Sequence, residues 1–154
     1  MFSRLKGIGL FGIDSYPIEI EADVSTGLPG FDIVGLPDTA VKESRDRVRT
    51  AMRNCGFGFP VSRITVNLAP ADIRKEGSAY DRPLAIGILS STKIVSDEKL
   101  SKFLIIGELS LDGSLQPIKG ALPIAIKARE QGFKGFILPK QNAREAAVVN
   151  NLDV

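Results

Sequence analysis

The sequence predicts one mixed α/β domain. Three observations carry this. The first third reads as strands with alternating apolar and polar residues, and the remainder alternates strand with helix. A chain of 154 residues that is 44% hydrophobic and 25% charged has the composition of an ordinary globular protein with room for a core.

The elements follow in order. RLKGIGLFG (4–12) and YPIEIEADV (16–24) read as strands, the second setting Ile18, Ile20, Ala22 and Val24 against Glu19, Glu21 and Asp23. STGLPG (25–30) is a turn before a short strand, FDIVGL (31–36). PDTAVKESRDRVRTAMRNCGFG (37–58) is the clearest helix, with Asp38 or Thr39 able to cap its start and Gly56 able to end it. Val41, Val48, Met52 and Cys55 share one of its faces. RITVNLA (63–69) alternates as a strand, and a helix is expected from about Asp81 to Thr92. FLIIGELSL (103–111) reads as one buried strand and DGSL (112–115) as a turn. A helix at 121–132, a strand at 135–139 and a final helix at 141–150 complete the pattern. NNLDV ends inside what could be another strand, which suggests a piece of something longer.

Composition excludes several chemistries. With no histidine, there is no Ser-His or Cys-His pair and no His-containing metal site. One cysteine, Cys55, forbids an internal disulfide and fits a reducing cytoplasm. No run of 18 apolar residues and no secretory leader is apparent, so neither a membrane span nor export is expected. A net charge of +2 does not by itself argue for nucleic acid.

Four features are candidate sites. On the helix at 37–58, Lys42, Arg45, Arg49 and Arg53 fall on a stripe roughly 80° wide, which could track a phosphate backbone. The alternative is a solvated face with Glu43–Arg47 and Lys42–Asp46 pairs. The glycines at 27, 30 and 35 precede a strand, and neither GxGxxG nor GxxxxGK[ST] occurs, so no nucleotide site is read. Asp72, Glu76 and Asp81 cluster without histidine or cysteine partners, and capping by Asp81 with Pro83 in the first turn accounts for the pattern. Ser78, in KEGSAYDRPLAIGILSS (75–91), would need a lysine as its base, and Lys75 and Lys119 are the available ones.

GLPGFDIVGLPDTAVKESRDRVRTAMRNCGFGFP and NLAPADIRKEGSAYDRPLAIGIL resemble the N-terminal domain of the ComM (YifB) family, proteins known as magnesium-chelatase-like or competence proteins. The resemblance covers essentially the whole chain as a single domain, 1–154, and departs from the family at Arg82, where an apolar residue is usual. It implies a fold similar to the proteolytic domain of Lon, to the C-terminal domain of RadA and to the second domain of a small-subunit ribosomal protein, an α+β two-layer sandwich. GELSLDGSLQPI (107–118) is similar to the corresponding Lon run.

Lon peptidases use a Ser–Lys dyad, and the resemblance places Ala79 at the serine and Leu122 at the lysine. Ser78 stands one residue early and Lys119 three, so no catalytic residue is expected. The resemblance further implies an accessory domain of a hexameric AAA+ ATPase that promotes branch migration of DNA in transformation. Its ATP and magnesium sites would lie beyond residue 154, leaving this chain without a cofactor. DNA contacts are expected at Lys42, Arg45, Arg49 and Arg53, with Arg63, Arg74 and Lys75 as weaker candidates. Two other readings are a Ser–Lys peptidase using Ser78 and a purely structural oligomerisation domain.

Overall fold

The computed structural model describes residues 1–11, 14–96 and 98–154. Its first two strands, β1 (Phe2–Phe11) and β2 (Asp14–Ser25), pair antiparallel over their length. β3 (Gly30–Val34), helix α1 (Thr39–Asn54), β4 (Arg63–Ala69) and helix α2 (Asp81–Ser91) follow. Then come β5 (Phe103–Ile105), the small strands β6 (Glu108–Leu109) and β7 (Leu115–Gln116), helix α3 (Ala121–Glu130), β8 (Gly135–Ile137) and helix α4 (Ala143–Ala146). The main sheet has the order β3-β4-β2-β1-β5-β8, with β6 and β7 forming a separate hairpin. It is mixed: β2 is antiparallel to β1 and β4, whereas β3–β4, β1–β5 and β5–β8 are parallel.

Alternation along the strands decides which helices cover which face. Leu5, Ile18, Ile20, Ala22, Ile64, Val66, Leu68 and Ile105 enter one core with Val41, Val48 and Met52 of α1 and Leu84, Ile88 and Leu89 of α2. Ile8, Leu104 and Phe136, pointing the other way, form a second core with Ile124, Ala125 and Ala128 of α3 and Ala146 of α4. Thus α1 and α2 back the sheet on one side, and α3 covers the opposite side near β1, β5 and β8. Each large aliphatic side chain buried here stabilises the fold by about 1.5–3 kcal/mol. The polar positions of β2 instead meet β1 and β4: Glu19 pairs with Arg4 and Lys6 at 2.8 Å each, and Glu21 accepts from Asn67 at 2.9 Å.

Four expectations need correction. The strand expected over 103–111 breaks after Ile105, because Gly107 turns to the loop before α2: its N–H donates to Ala79 O and its carbonyl accepts from Arg82 N–H, both at 3.0 Å. The last helix is only Ala143–Ala146, because the chain must reverse: Asn151 takes φ 62° and Asp153 bridges to Gly135 on the outer edge of β8. Cys55 is exposed at the end of α1 and does not join Val41, Val48 and Met52 in the core. Asp81 does not cap α2, whose N-cap is Tyr80 without a side-chain bond; its carboxylate is held elsewhere. Asp38 does cap α1, accepting from Val41 N–H at 2.7 Å.

Candidate functional site

The loop that opens α2 is pinned from three sides. Gly77, at φ 89° in the region that favours glycine, donates its N–H to Asp38 Oδ2 at 3.3 Å. Ser78 O accepts from Asp81 N–H at 3.3 Å, and Ala79 O accepts from Gly107 N–H at 3.0 Å. The loop forms one wall of a cleft of about 360 Å³, also lined by Ile106, Glu108, Lys119 and Ile124. Ala79 lines this cleft, and Ala79 and Leu122 both pack on the α3 core, so the two positions matched to a serine–lysine dyad are apolar neighbours of one cluster. Ser78 and Lys119 also face the cleft, but no hydrogen bond joins them. Lys75 lies elsewhere: it is fully buried, with Nζ donating to Pro70 O. Burial pushes its ammonium below the ordinary value, and neither a role as base for Ser78 nor a DNA contact suits a side chain so enclosed.

The carboxylate of Asp81, fully buried, holds this loop to α1 and to the β6–β7 hairpin. It accepts from Arg47 Nε at 2.7 Å and Nη2 at 3.1 Å, from Leu109 N–H at 3.0 Å and from Ser44 Oγ. The hydrogen bond from Arg47 and the charge of Asp81 raise the guanidinium further above its already high value. Of the other clustered carboxylates, Glu76 pairs with Arg74 at 3.5 Å and Asp72 is exposed. Sequence reasoning assigned Asp81 to the wrong partner and missed Ser44 and Arg47. A signal was present, since Ser44 sits between Val41 and Val48 on the apolar face of α1. Tyr80, next to Asp81, is buried with its hydroxyl unpartnered among the described residues, and burial pushes its phenol well up.

On the opposite flank of α1, Lys42, Arg45 and Arg53 are exposed and Arg49 is half-buried. Arg45 folds back, donating to Lys42 O at 3.2 Å and Phe31 O at 3.4 Å. Arg49 pairs with Asp46 at 3.6 Å and lies 5.5 Å over the Phe59 ring, which stacks on Phe31 at 5.7 Å. Lys42 and Arg53 have no ion-pair or side-chain hydrogen-bond partner among the described residues, so the expected Lys42–Asp46 pair is absent, whereas Glu43–Arg47 forms at 3.5 Å. Arg63 is paired with Asp32 across β3 and β4.

The family described as subunit ChlI of Mg-chelatase has a model that matches residues 20–142. The chain belongs to the ChlI family. Within it, the chain is 45% identical to the uncharacterized protein YifB of Escherichia coli strain K12 over 139 residues, covering 90% of the chain and 27% of that relative. It is 45% identical to the competence protein ComM of Haemophilus influenzae over 140 residues, covering 91% and 27%. This ChlI-family chain is therefore the N-terminal domain of the ComM/YifB group. At greater distance it is 27% identical to Lon protease 2 of Bacillus subtilis over 167 residues, covering 97% of the chain and 29% of the protease. The mixed sheet, the α1–α2 layer and that likeness together bear out the Lon-like fold. The ChlI-family chain spans under a third of the length of the curated relatives it matches. Among the described residues, no helix is long and apolar enough to cross a membrane.

Proposed function

We propose that this ChlI-family chain is a non-catalytic, Lon-like accessory and assembly domain of a longer AAA+ ATPase, a motor that remodels DNA by branch migration in transformation and recombination. The observation that carries this reading is that Ala79, which lines the cleft, and Leu122, which packs on the same α3 core, are side chains unable to give or take a proton. ATP and magnesium belong to the motor in this proposal, and this chain supplies packing within a cytoplasmic homo-hexamer. DNA would follow the outer face of α1, where Lys42 and Arg53, without an ion-pair partner among the described residues, stand beside Arg45 and Arg49.

A salt titration of DNA binding by the full-length protein tests the DNA part. Replacing Lys42 and Arg53 by glutamine removes two phosphate contacts, so the slope of log affinity against log salt becomes shallower by about 1.8 on double-stranded DNA. An unchanged slope and affinity would sink the assignment and leave a purely structural oligomerisation domain, visible as self-association in sedimentation without a DNA shift. The peptidase reading draws on Ser78 and Lys119 facing the same cleft. A fluorophosphonate probe and unfolded casein address it: neither labelling nor cleavage is expected, and labelling that disappears in Ser78→Ala would overturn the non-catalytic proposal.

A further inference from the structure

A second cavity, of about 270 Å³, opens between the end of α1, the α2 helix and the β6–β7 hairpin. Met52, Phe57, Ile86, Leu89 and Leu109 line it with apolar surface, and one charged side chain, Arg82, joins them. The stem of Arg82 crosses Gly107 so closely that an added Cβ there would lie 3.3 Å from Arg82 Cβ and Cδ. The guanidinium has neither an ion pair nor a hydrogen-bond partner among the described residues, and its Nη1 is sealed from water. Desolvation pushes it below its ordinary value. A guanidinium left so is unfavourable, because a buried donor that loses water and gains no acceptor forfeits its hydrogen bond outright.

The missing partner has a definite chemistry. Guanidinium groups pair best with carboxylates, two N–H donors to two oxygens, and the surrounding wall calls for an apolar group beside that carboxylate. The cavity opens at the surface, where an apolar side chain of a partner protein can enter as a buried anchor with a charged neighbour beside it. We propose that this cavity is a docking pocket for a partner peptide, in which a Leu, Ile, Met or Phe side chain fills the apolar space and an adjacent Asp or Glu pairs with Arg82. The pocket is separate from the cleft at Ala79 and from the basic face of α1, and nothing in it depends on the function proposed above.

The only cysteine provides a reporter, since Cys55 lines the pocket and is exposed, with Sγ 3.7 Å from Asp112 O. An array of acetylated hexapeptides, each combining Leu, Ile, Met or Phe with Asp, Glu, Asn, Gln or Lys at neighbouring positions, is probed with the chain. Acidic members should be retained at least about tenfold better than their amide counterparts, the loss expected for one charge-assisted bond. The best acidic peptide, free in solution, should slow alkylation of Cys55 by iodoacetamide in a saturable manner. Arg82→Leu should abolish the acid preference, and Arg82→Gln, which keeps a polar stem, provides the same test if the leucine variant does not fold by circular dichroism. An array without acid preference overturns the proposal, as does a preference that survives the loss of the guanidinium. Protection of Cys55 by decanoate equal to that by the peptide would reassign the pocket to a free fatty carboxylate and overturn peptide docking.

Discussion

Replacing Asp81 by leucine removes the one anion that joins α1, the start of α2 and the β6–β7 hairpin. The lost contacts can be weighed separately. Leu109 N–H would be left buried without its acceptor, which costs about 1–3 kcal/mol. Arg47, whose side chain is only 19% exposed, would lose two hydrogen bonds and its counter-charge. Removing one partner from a buried pair costs about 3–5 kcal/mol in all, and the two terms overlap. Arg47 keeps Ala40 O at 3.0 Å and Glu43, so the lower part of that range applies, about 3–4 kcal/mol. For a chain of this length that corresponds to a melting point lower by about 6–16 °C. Urea titration followed by far-ultraviolet circular dichroism measures the loss, with an unchanged m-value showing that stability rather than compactness has moved. The double variant Asp81→Leu with Arg47→Met should recover much of it, since a hydrophobic pair leaves no stranded charge. A loss under about 1 kcal/mol for Asp81→Leu, or strict additivity in the double variant, would refute the reasoning.

Further outcomes are expected. Gly113→Ala should destabilise by about 1–3 kcal/mol, because the residue sits at φ 89° and its new methyl would collide with Cys55 Sγ; thermal melting checks this. The folded chain keeps the Tyr80 proton above pH 10.0, where the unfolded chain loses it, so stability should fall by up to about 1.4 kcal/mol per pH unit in that alkaline range. A tyrosinate absorbance titration should accordingly show Tyr80 ionising only as the chain unfolds. Lys75 behaves in the opposite sense: its folded form releases a proton below the ordinary 10.5, so wild-type stability relative to Lys75→Met should rise as pH climbs towards 10.5. Paired urea titrations at pH 7 and pH 9.5 compare the two chains.

What could be read from the sequence divides by the range of the forces involved. Strands with one wet face were legible because period-two alternation is local: Ile18, Ile20 and Ala22 are fully buried as expected, and β4 has the boundaries its pattern indicates. Capping of α1 by Asp38 was legible for the same reason. The break after Ile105 was not, because a hydrophobic run says nothing about where a backbone N–H finds its acceptor, and Gly107 finds it at Ala79, far away in the chain. Asp81 shows the same limit. Its position before a proline is a plausible cap locally, but Arg47 and Leu109 compete for the carboxylate and win. The apolar residues Ala79 and Leu122 stood out only through the resemblance to Lon, whereas the cleft that Ala79 lines and the core that both pack on required coordinates. Arg82 stood out in the sequence as a departure from its family, but its lack of a hydrogen-bond partner among the described residues did not.

The helix α1 and the strand surface on the other side of the sheet differ in charge. On α1 five cations face two carboxylates, whereas the sheet surface behind β2 carries Glu19, Glu21 and Asp23 with Arg4 and Lys6 set among them. Of these two surfaces α1 carries the excess of positive charge, and the strand surface faces away from it. For anyone tethering the chain to a bead or a chip, that surface is the place for the linker. An attachment at Asp23 leaves α1 and both cavities free to the solution.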